Sequence, residues 1–253
     1  MMITRTSAVA MAAGVALAIG GMAPQAHAQL LALYSFDDAS FADISGNGYT
    51  PTNTNVTFAS GGFEGGSAFF NGINSFLQIG LDINPTALPQ LTMGCWVRVD
   101  DDFDSPIRQF ISHDSGGFDR SLGIDFRGGL TGYSAFTGSG VLGGAPVVAN
   151  EWAFVAVVYD QTAGSVTLHV NGSSFTTLST AGSGNTFVRL GSNPAFGEFF
   201  GGQMDNAFFI RGALSPTEIT RIREGGINAI IPTPTAAAGL AMLGVAGAIR
   251  RRR

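Results

Sequence analysis

Short segments in which apolar and polar residues alternate recur along the chain and are separated by glycine-rich turns. Residues 91–99 alternate along most of their length, whereas residues 153–159 form a continuous apolar run, which is typical of a strand buried on both faces. Residues 165–170 and 173–178 flank Asn171-Gly172, a pair favoured in the tight turn of a β-hairpin. The pattern therefore predicts a meander of three consecutive strands, in addition to the strand at 91–99.

One helix is predicted after these strands. Ser215 can cap the N-terminus, Pro216 suits the first helical position, and Glu218 completes a capping box. Gly225 can end the helix. Many short strands with glycine turns, followed by one short C-terminal helix, predict an all-β fold, a sandwich or a jelly roll.

The composition agrees with a β fold that rests on hydrophobic burial. The 253 residues include 36 glycines and 20 phenylalanines, and only 12% are charged, against roughly 25% in an average soluble protein. Cys95 is the only cysteine, so an intramolecular disulfide is excluded. The formal net charge is −5, and because five of the 13 arginines lie near the termini, the remainder carries about −10. Such a surface repels phosphate backbones, so we expect no nucleic-acid partner.

Both ends of the chain read as targeting segments. Residues 1–28 combine Arg5, an apolar stretch and the small-residue sequence Ala26-His27-Ala28, which predicts a cleaved signal peptide rather than an uncleaved anchor. Residues 230–253 contain Ile-Pro-Thr-Pro, a short apolar stretch and four final arginines, and resemble a bacterial PEP-CTERM sorting tail. Thr233 departs from the commoner motif, which has Glu, and an ordinary C-terminal anchor is the alternative. The resemblance implies export, handling by sorting machinery and transient membrane anchoring through the tail.

The segment between them, 29–229, resembles the laminin-G-like, concanavalin A-like jelly-roll family. The resemblance implies that glycans or proteins are bound, and that a calcium ion is held near the first and last strands. It rests on eight pieces that occur in the family's order: 34–37 (YSFD), 43–48 (DISGNG), 69–77 (FFNGINSFL), 92–97 (TMGCWV), 151–160 (EWAFVAVVYD), 166–172 (VTLHVNG), 200–207 (FGGQMDNA) and 214–219 (LSPTEI).

Asp43, Asn47 and Asp205 are the candidate calcium ligands. By the resemblance, Asp43 and Asp205 correspond to the family's acidic residues, and the glycines around Asn47 allow backbone carbonyls to turn towards a cation that wants six to eight oxygens. The alternative is that Asp43 only caps its own turn. The acidic run at 100–104 is not predicted to be an EF-hand, because Ser105 and Ile111 stand where Gly and Glu are required.

The sequence does not point to a set of catalytic residues. An Asp-Ser-Gly-Gly string at 114–117 resembles the surroundings of a serine nucleophile, but only His113 and His169 are available as a base after signal cleavage. No glutamate has the Glu-x-Asp-x-x-Glu spacing of jelly-roll glycoside hydrolases. We therefore expect a non-enzymatic protein.

Aromatic residues are the candidates for sugar contacts. Phe118, Tyr133 and Phe196 lie in glycine-rich segments and are predicted to be free to stack on a ligand, whereas Trp96 and Trp152 lie within strands and are predicted to be core. The sequence thus predicts an exported, cell-surface or matrix-associated module that binds a neutral or cation-bridged polysaccharide, or another matrix component, without cleaving it. A structural matrix protein without a small ligand and a polysaccharide-cleaving enzyme are the alternatives.

Overall fold

The computed structural model describes residues 28–100, 107–127, 132–179 and 182–229. The predicted sorting tail, the predicted signal peptide apart from Ala28, and most of the acidic run at 100–104 lie outside these residues. No helix in the described ranges is long and apolar enough to cross a membrane.

The described residues form fifteen strands, one α-helix and two short 3-10 helices. The α-helix, α1, spans Pro216–Gly225, and the 3-10 helices span Asp37–Ala39 and Ile227–Ala229. The strands are β1 Gln29–Tyr34, β2 Thr52–Thr54, β3 Thr57–Ser60, β4 Gly66–Asn71, β5 Phe76–Ile79, β6 Gln90–Val99, β7 Arg108–Ser112, β8 Ser121–Asp125, β9 Gly132–Phe136, β10 Val141–Gly143, β11 Trp152–Asp160, β12 Ser165–Val170, β13 Ser173–Leu178, β14 Val188–Leu190 and β15 Gly201–Arg211.

These strands form two antiparallel sheets that pack face to face. The first has the order β13-β12-β11-β6-β15-β4-β3, with β1 added alongside β15. The second has the order β10-β9-β8-β7-β14-β5-β2. Strands that neighbour in space are often distant in the sequence, as β6 and β15 are. This arrangement confirms the predicted all-β jelly-roll sandwich.

The core lies between the two sheets and follows the alternation seen in the sequence. On β6, Leu91, Met93 and Cys95 have no exposed surface and belong to one large apolar cluster with residues of the second sheet. The predicted meander is confirmed as β11, β12 and β13, and Asn171 adopts the positive φ of 51° that its turn requires. Side chains that alternate with these core residues therefore point to the outer face of each sheet.

The predicted helix covers the outer face of the first sheet. Ser215 and Glu218 form the expected capping box, and Ile219 and Ile222 are buried against strand residues such as Phe154. The cap residue at the C-terminus is Gly226, one position after the predicted Gly225. The helix α1 thus covers part of the outer face of the first sheet.

Tyr159 ties the two sheets together at the centre of the core. It lies on β11 and is fully buried. Its hydroxyl accepts from the Ser121 amide, and its one proton is shared between the carbonyls of Ser121 and Phe136 on the second sheet, at 3.0 and 2.9 Å. Tyr159→Phe would leave these buried backbone groups without a partner, which costs about 1–3 kcal/mol. We expect the unfolding free energy in urea to fall by that amount, with Tyr49→Phe, which alters a partly buried tyrosine, as the control. An unchanged midpoint would contradict the bridging role.

Candidate functional site

The outer face of the second sheet is polar where β7, β8 and β9 lie side by side. On β8, Leu122 and Ile124 face the core, so Ser121, Gly123 and Asp125 lie on the other face. Most of the polar side chains in this region are nevertheless buried: Gln109, Ser112, Ser121, Asp125 and Ser134. Buried polar groups of this density need partners, whether from the protein, from water or from a ligand.

A cavity of about 110 Å³ opens at this face between two loops, and we call it the loop cavity. One loop joins β7 to β8 and the other joins β14 to β15. The Cζ atom of Phe196 in the second loop lies 3.8 Å from the position that a Cβ on Gly116 in the first loop would occupy, so the two loops approach each other. The cavity is lined by Asp114, Gly116, Phe118, Arg127, Phe136, Phe196 and Glu198.

Aromatic rings form the apolar part of the loop cavity. Phe118 packs edge-on against Phe136, with 5.4 Å between ring centroids. The Arg127 guanidinium lies 5.2 Å from the Phe118 centroid and 5.4 Å from that of Phe136, within cation–π range. Phe196 is 65% exposed. An exposed ring beside a partly buried one is an arrangement on which a sugar ring can stack.

Carboxylates and one arginine form the polar part. The Arg127 guanidinium makes a fork with the buried Asp125 carboxylate, at 3.0 Å from Nε to Oδ1 and 2.6 Å from Nη2 to Oδ2. Its Nη2 also lies 3.6 Å from Glu198 Oε1. The side-chain amide of Asn193 donates to Glu198 Oε2 at 2.8 Å and to Asp114 Oδ2 at 2.9 Å, and so bridges the two acids.

The two bridged acids have different environments. Burial, with a smaller contribution from Asp125, raises the pKa of Glu198, while Asn193 and Arg127 act in the opposite direction. Asp114 is almost fully buried, and its Oδ1 accepts hydrogen bonds from the backbone amides of residues 116, 117 and 119. Asp114 therefore shapes the loop, whereas Glu198 presents a mostly buried carboxyl group to the cavity.

The structure separates the aromatic candidates. Phe118 and Phe196 line the loop cavity. The prediction for Tyr133 was wrong: it lies on β9, is 2% exposed and faces the core, with its ring 6.1 Å from that of Phe110. Trp96 and Trp152 are only partly buried. Arg127, Asn193 and Glu198 were missed, because no local motif marks them and because Arg127, which follows β8, is distant in sequence from the β14–β15 loop that carries the other two.

The Asp-Ser-Gly-Gly string does not form a catalytic triad. The Ser115 hydroxyl donates to Asp119 at 3.1 Å, and the Nδ1 atom of His113 bonds the carbonyl of Asn185. The two side chains thus have different partners. A serine nucleophile needs a histidine base within hydrogen-bond reach, and Ser115 and His113 do not form such a pair.

The carboxylate of Asp43 is occupied by its own turn. It accepts backbone hydrogen bonds from Leu33, Ser45 and Tyr49 at 2.9–3.1 Å, and although burial raises its pKa, these bonds bring it below the usual value. The Asn47 amide nitrogen donates to the carbonyls of β1. The Asn47 donors thus face carbonyls, and the Asp43 carboxylate is saturated with N–H groups. This arrangement fits the alternative interpretation, in which Asp43 caps its own turn and fixes it to β1.

Asp205, unlike Asp43, is a fully buried acid that lies near other acidic side chains. It has no exposed surface, and its two oxygens accept from the backbone amides of Glu64 and Asn206. Burial and then the charges of Asp37 and Glu64 raise its pKa to about 7. The turn between β3 and β4 packs against both acids, since a Cβ on Gly62 would meet Asp205 Oδ2 and one on Gly65 would overlap Asp37 Oδ1. Asp37 thus lies close enough to Asp205 to raise its pKa, whereas the assignment of Asp43, Asn47 and Asp205 as calcium ligands stays a prediction.

We propose a calcium ion beside Asp205 on the chemistry of its surroundings. Asp205 makes no ion pair within the described residues, although it is buried and faces further acids. In the same part of the chain, no three His, Cys, Asp or Glu side chains are grouped to hold a metal. A cation here would therefore need backbone carbonyls or water in addition to Asp37 and Asp205, as hard cations commonly have.

Asp205 gives the protein a defined pH dependence. An unfolded aspartate titrates near ~4, so between there and about 7 the folded state holds a proton that the unfolded state lacks. In chelator, stability should fall as the pH rises across this window. Calcium competes with that proton, so its stabilising effect should grow with pH over the same range. Melting curves of the wild type and Asp205→Asn at several pH values test this, and identical pH profiles for both would contradict it.

Comparison with known proteins supports the fold. Domain 4 of AbnA, an extracellular GH43 arabinanase from Geobacillus stearothermophilus solved with arabinotriose, has a TM-score of 0.60 and 23% identity, over 77% of this chain and 98% of that domain. The binding domain of Paraclostridial Mosquitocidal Protein 1 has a TM-score of 0.58 and 16% identity, over 76% of this chain and 51% of that chain. The binding domain of botulinum neurotoxin serotype D has a TM-score of 0.56 and 14% identity, over 78% of this chain and 52% of that chain. At these identities the likeness establishes the fold alone.

The sequence itself gives the family. No curated protein matches the chain significantly. A family model described as the concanavalin A-like lectin/glucanases superfamily matches residues 72–220, which is more than half of the chain. The matched range contains both loops of the cavity and most of the strands that carry them. The chain therefore belongs to the concanavalin A-like lectin/glucanases superfamily.

Proposed function

We propose that this protein is an exported carbohydrate-binding or adhesion module that binds a polysaccharide in the loop cavity without cleaving it. The observation that carries the proposal is the pairing of stacking and hydrogen-bonding groups in one cavity: the rings of Phe118 and Phe196 beside the Arg127 guanidinium and the Glu198 carboxyl. Sugars present an apolar ring face and a rim of hydroxyls, and binding sites commonly combine apolar walls with a few placed polar groups.

The structural neighbours support a binding function. The arabinanase domain was solved with arabinotriose, and the two toxin neighbours are binding domains. The toxin domains are about twice as long as the matching part of this chain. Superfamily members include both lectins and glucanases, so the fold is compatible with binding or with cleavage. The choice between these rests on the cavity itself.

The state of Asp114 favours binding over hydrolysis. A glycosidase needs two carboxyl groups, one of which acts as a nucleophile or activates water. Asp114 and Glu198 lie close enough to share Asn193, but Asp114 is 1% exposed and accepts four N–H hydrogen bonds. A carboxylate held in this way is poorly placed to attack a sugar. Polysaccharide cleavage is the alternative, because the two acids do adjoin one cavity.

The predicted terminal segments bear on where the protein acts. The signal-like residues 1–28 and the sorting-like residues 230–253 support export and display at the cell surface or in the extracellular matrix, with the membrane involved only through these segments. The domain charge of about −10 opposes polyanionic glycans. Mass spectrometry of the protein from its native cells should find both segments removed, and a retained Arg253 in the exported form would argue against a cleaved tail.

A panel of purified glycans tests the function. Residues 29–229 are titrated by calorimetry with neutral, amine-bearing and uronic-acid oligosaccharides, and each mixture is then assayed for new reducing ends and unsaturated products. We expect binding to at least one glycan and no products. Released products would establish an enzyme, whereas the absence of binding across the panel would favour a structural matrix protein.

A further inference from the structure

We propose that the loop cavity selects a sugar that carries a protonated amine, with Glu198 receiving the ammonium group. The inference rests on the proposed function and narrows its ligand class. It concerns the charges that remain unbalanced in the cavity after the contacts within the protein are counted.

The cavity has more negative than positive charge. Asp114, Asp125 and Glu198 are balanced by one arginine, Arg127, whose fork is directed at Asp125. The second contact of Arg127, from Nη2 to Glu198 Oε1, is a long ion pair of 3.6 Å. Asp114 is satisfied by three backbone amides and Asn193, whereas Glu198 has this long contact and the neutral amide of Asn193. The Glu198 carboxyl group is therefore the least balanced acid of the cavity.

Gln109 provides a second, independent sign of a missing polar partner. Its backbone amide donates to the carbonyl of Glu198 at 2.9 Å, and its side-chain amide lies near the Glu198 carboxyl group. The side chain is fully buried, yet neither the amide nitrogen nor the amide oxygen has a hydrogen-bond partner of normal geometry. The Gln109 amide oxygen and the Glu198 carboxylate are acceptors, and an ammonium group offers three donors.

The aromatic walls favour the same ligand. Phe118 already attracts one cation, Arg127, at its ring face. Phe196 is 65% exposed and lines the same cavity, so its ring face is available to the ligand. An ammonium group close to a ring face gains cation–π attraction, while the rest of the sugar stacks on the ring. A uronic acid would instead bring a further negative charge beside Glu198.

Three tetrasaccharides that differ only at C2 test the inference. Oligomers of β-1,4-linked glucosamine, N-acetylglucosamine and glucose are titrated into the protein by calorimetry at a pH where the amine is protonated. We expect glucosamine to bind about tenfold or more tightly than glucose, because hydrogen bonds to charged groups are the strong ones. Glu198→Gln should reduce this ratio to near one, whereas the same change at the exposed Glu224 should leave it intact.

The outcomes separate this inference from the proposed function. Equal affinity for the three tetramers, or an unchanged preference in Glu198→Gln, would overturn amine selectivity while glycan binding as such stands. Phe196→Ala serves as a second variant that keeps the acids and should weaken all three tetramers, the glucosamine tetramer most, because it removes both stacking and cation–π attraction. If none of the tetramers and no glycan of the wider panel binds, the proposed function fails and this inference with it.

Discussion

Calcium is expected to raise the melting temperature of residues 29–229, and Asp205→Asn is expected to abolish that rise. A ligand that binds only the folded state at a hundredfold excess over its Kd adds about 2.7 kcal/mol. For a domain of this size that corresponds to roughly 5–10 °C. The physical reason is the buried Asp205, which faces Asp37 and Glu64 without a cation. Melting curves in calcium and in chelator provide the measurement.

Asp43→Asn is the matched control, because it removes the same charge at the position that the sequence favoured. Its carboxylate holds three backbone amides, so the variant should melt at a lower temperature in both calcium and chelator. The difference between the two conditions should persist. If Asp43→Asn abolishes the calcium response and Asp205→Asn keeps it, the assignment to Asp37 and Asp205 is wrong.

The second large effect is expected on glycan affinity. Phe196→Ala removes a ring that is 65% exposed and lines the loop cavity, so it should weaken glycan binding by about tenfold or more. The melting temperature should hardly change, since surface substitutions usually stay within about 0.5 kcal/mol. Phe118→Ala should weaken binding as well, and should also cost some stability, because Phe118 packs on Phe136 and Arg127.

Phe63→Ala is the control for this prediction. Phe63 is also a partly exposed phenylalanine, but it stacks on Trp96, away from the loop cavity, with 3.4 Å between ring centroids. Affinity should be preserved in this variant. Loss of glycan binding in Phe63→Ala together with wild-type affinity in Phe196→Ala would move the binding site to the Trp96 region.

The strands and the helix could be predicted because their signals are local. On β6 the apolar positions repeat every second residue, and at α1 the capping residues Ser215, Pro216 and Glu218 adjoin each other in the sequence. Tyr133 shows where this reasoning stops. Both faces of β9 carry an aromatic residue, Tyr133 inward and Phe136 outward, so the strand has no apolar and polar alternation, and its glycine-rich flanks suggested a loop.

The candidate sites were harder to predict because they depend on contacts between distant segments. The Asp205 carboxylate accepts a hydrogen bond from the backbone amide of Glu64, which is 141 residues away in the sequence. No motif in either segment predicts that contact. Asp43 was the more conspicuous acid because it lies in a turn motif, but a turn motif also supplies the backbone donors that satisfy it. The Asn193 bridge between Asp114 and Glu198 likewise exists only once two loops have met.

A crystal structure of the protein with the tightest-binding glycan of the panel tests the central claim most directly. The account predicts an intact sugar in the loop cavity, with one ring stacked on Phe196 and polar contacts to Glu198 or Arg127. A sugar seated elsewhere, for example against Phe63 and Trp96, would contradict the assignment of the site, and a cleaved sugar in the cavity would contradict binding without catalysis.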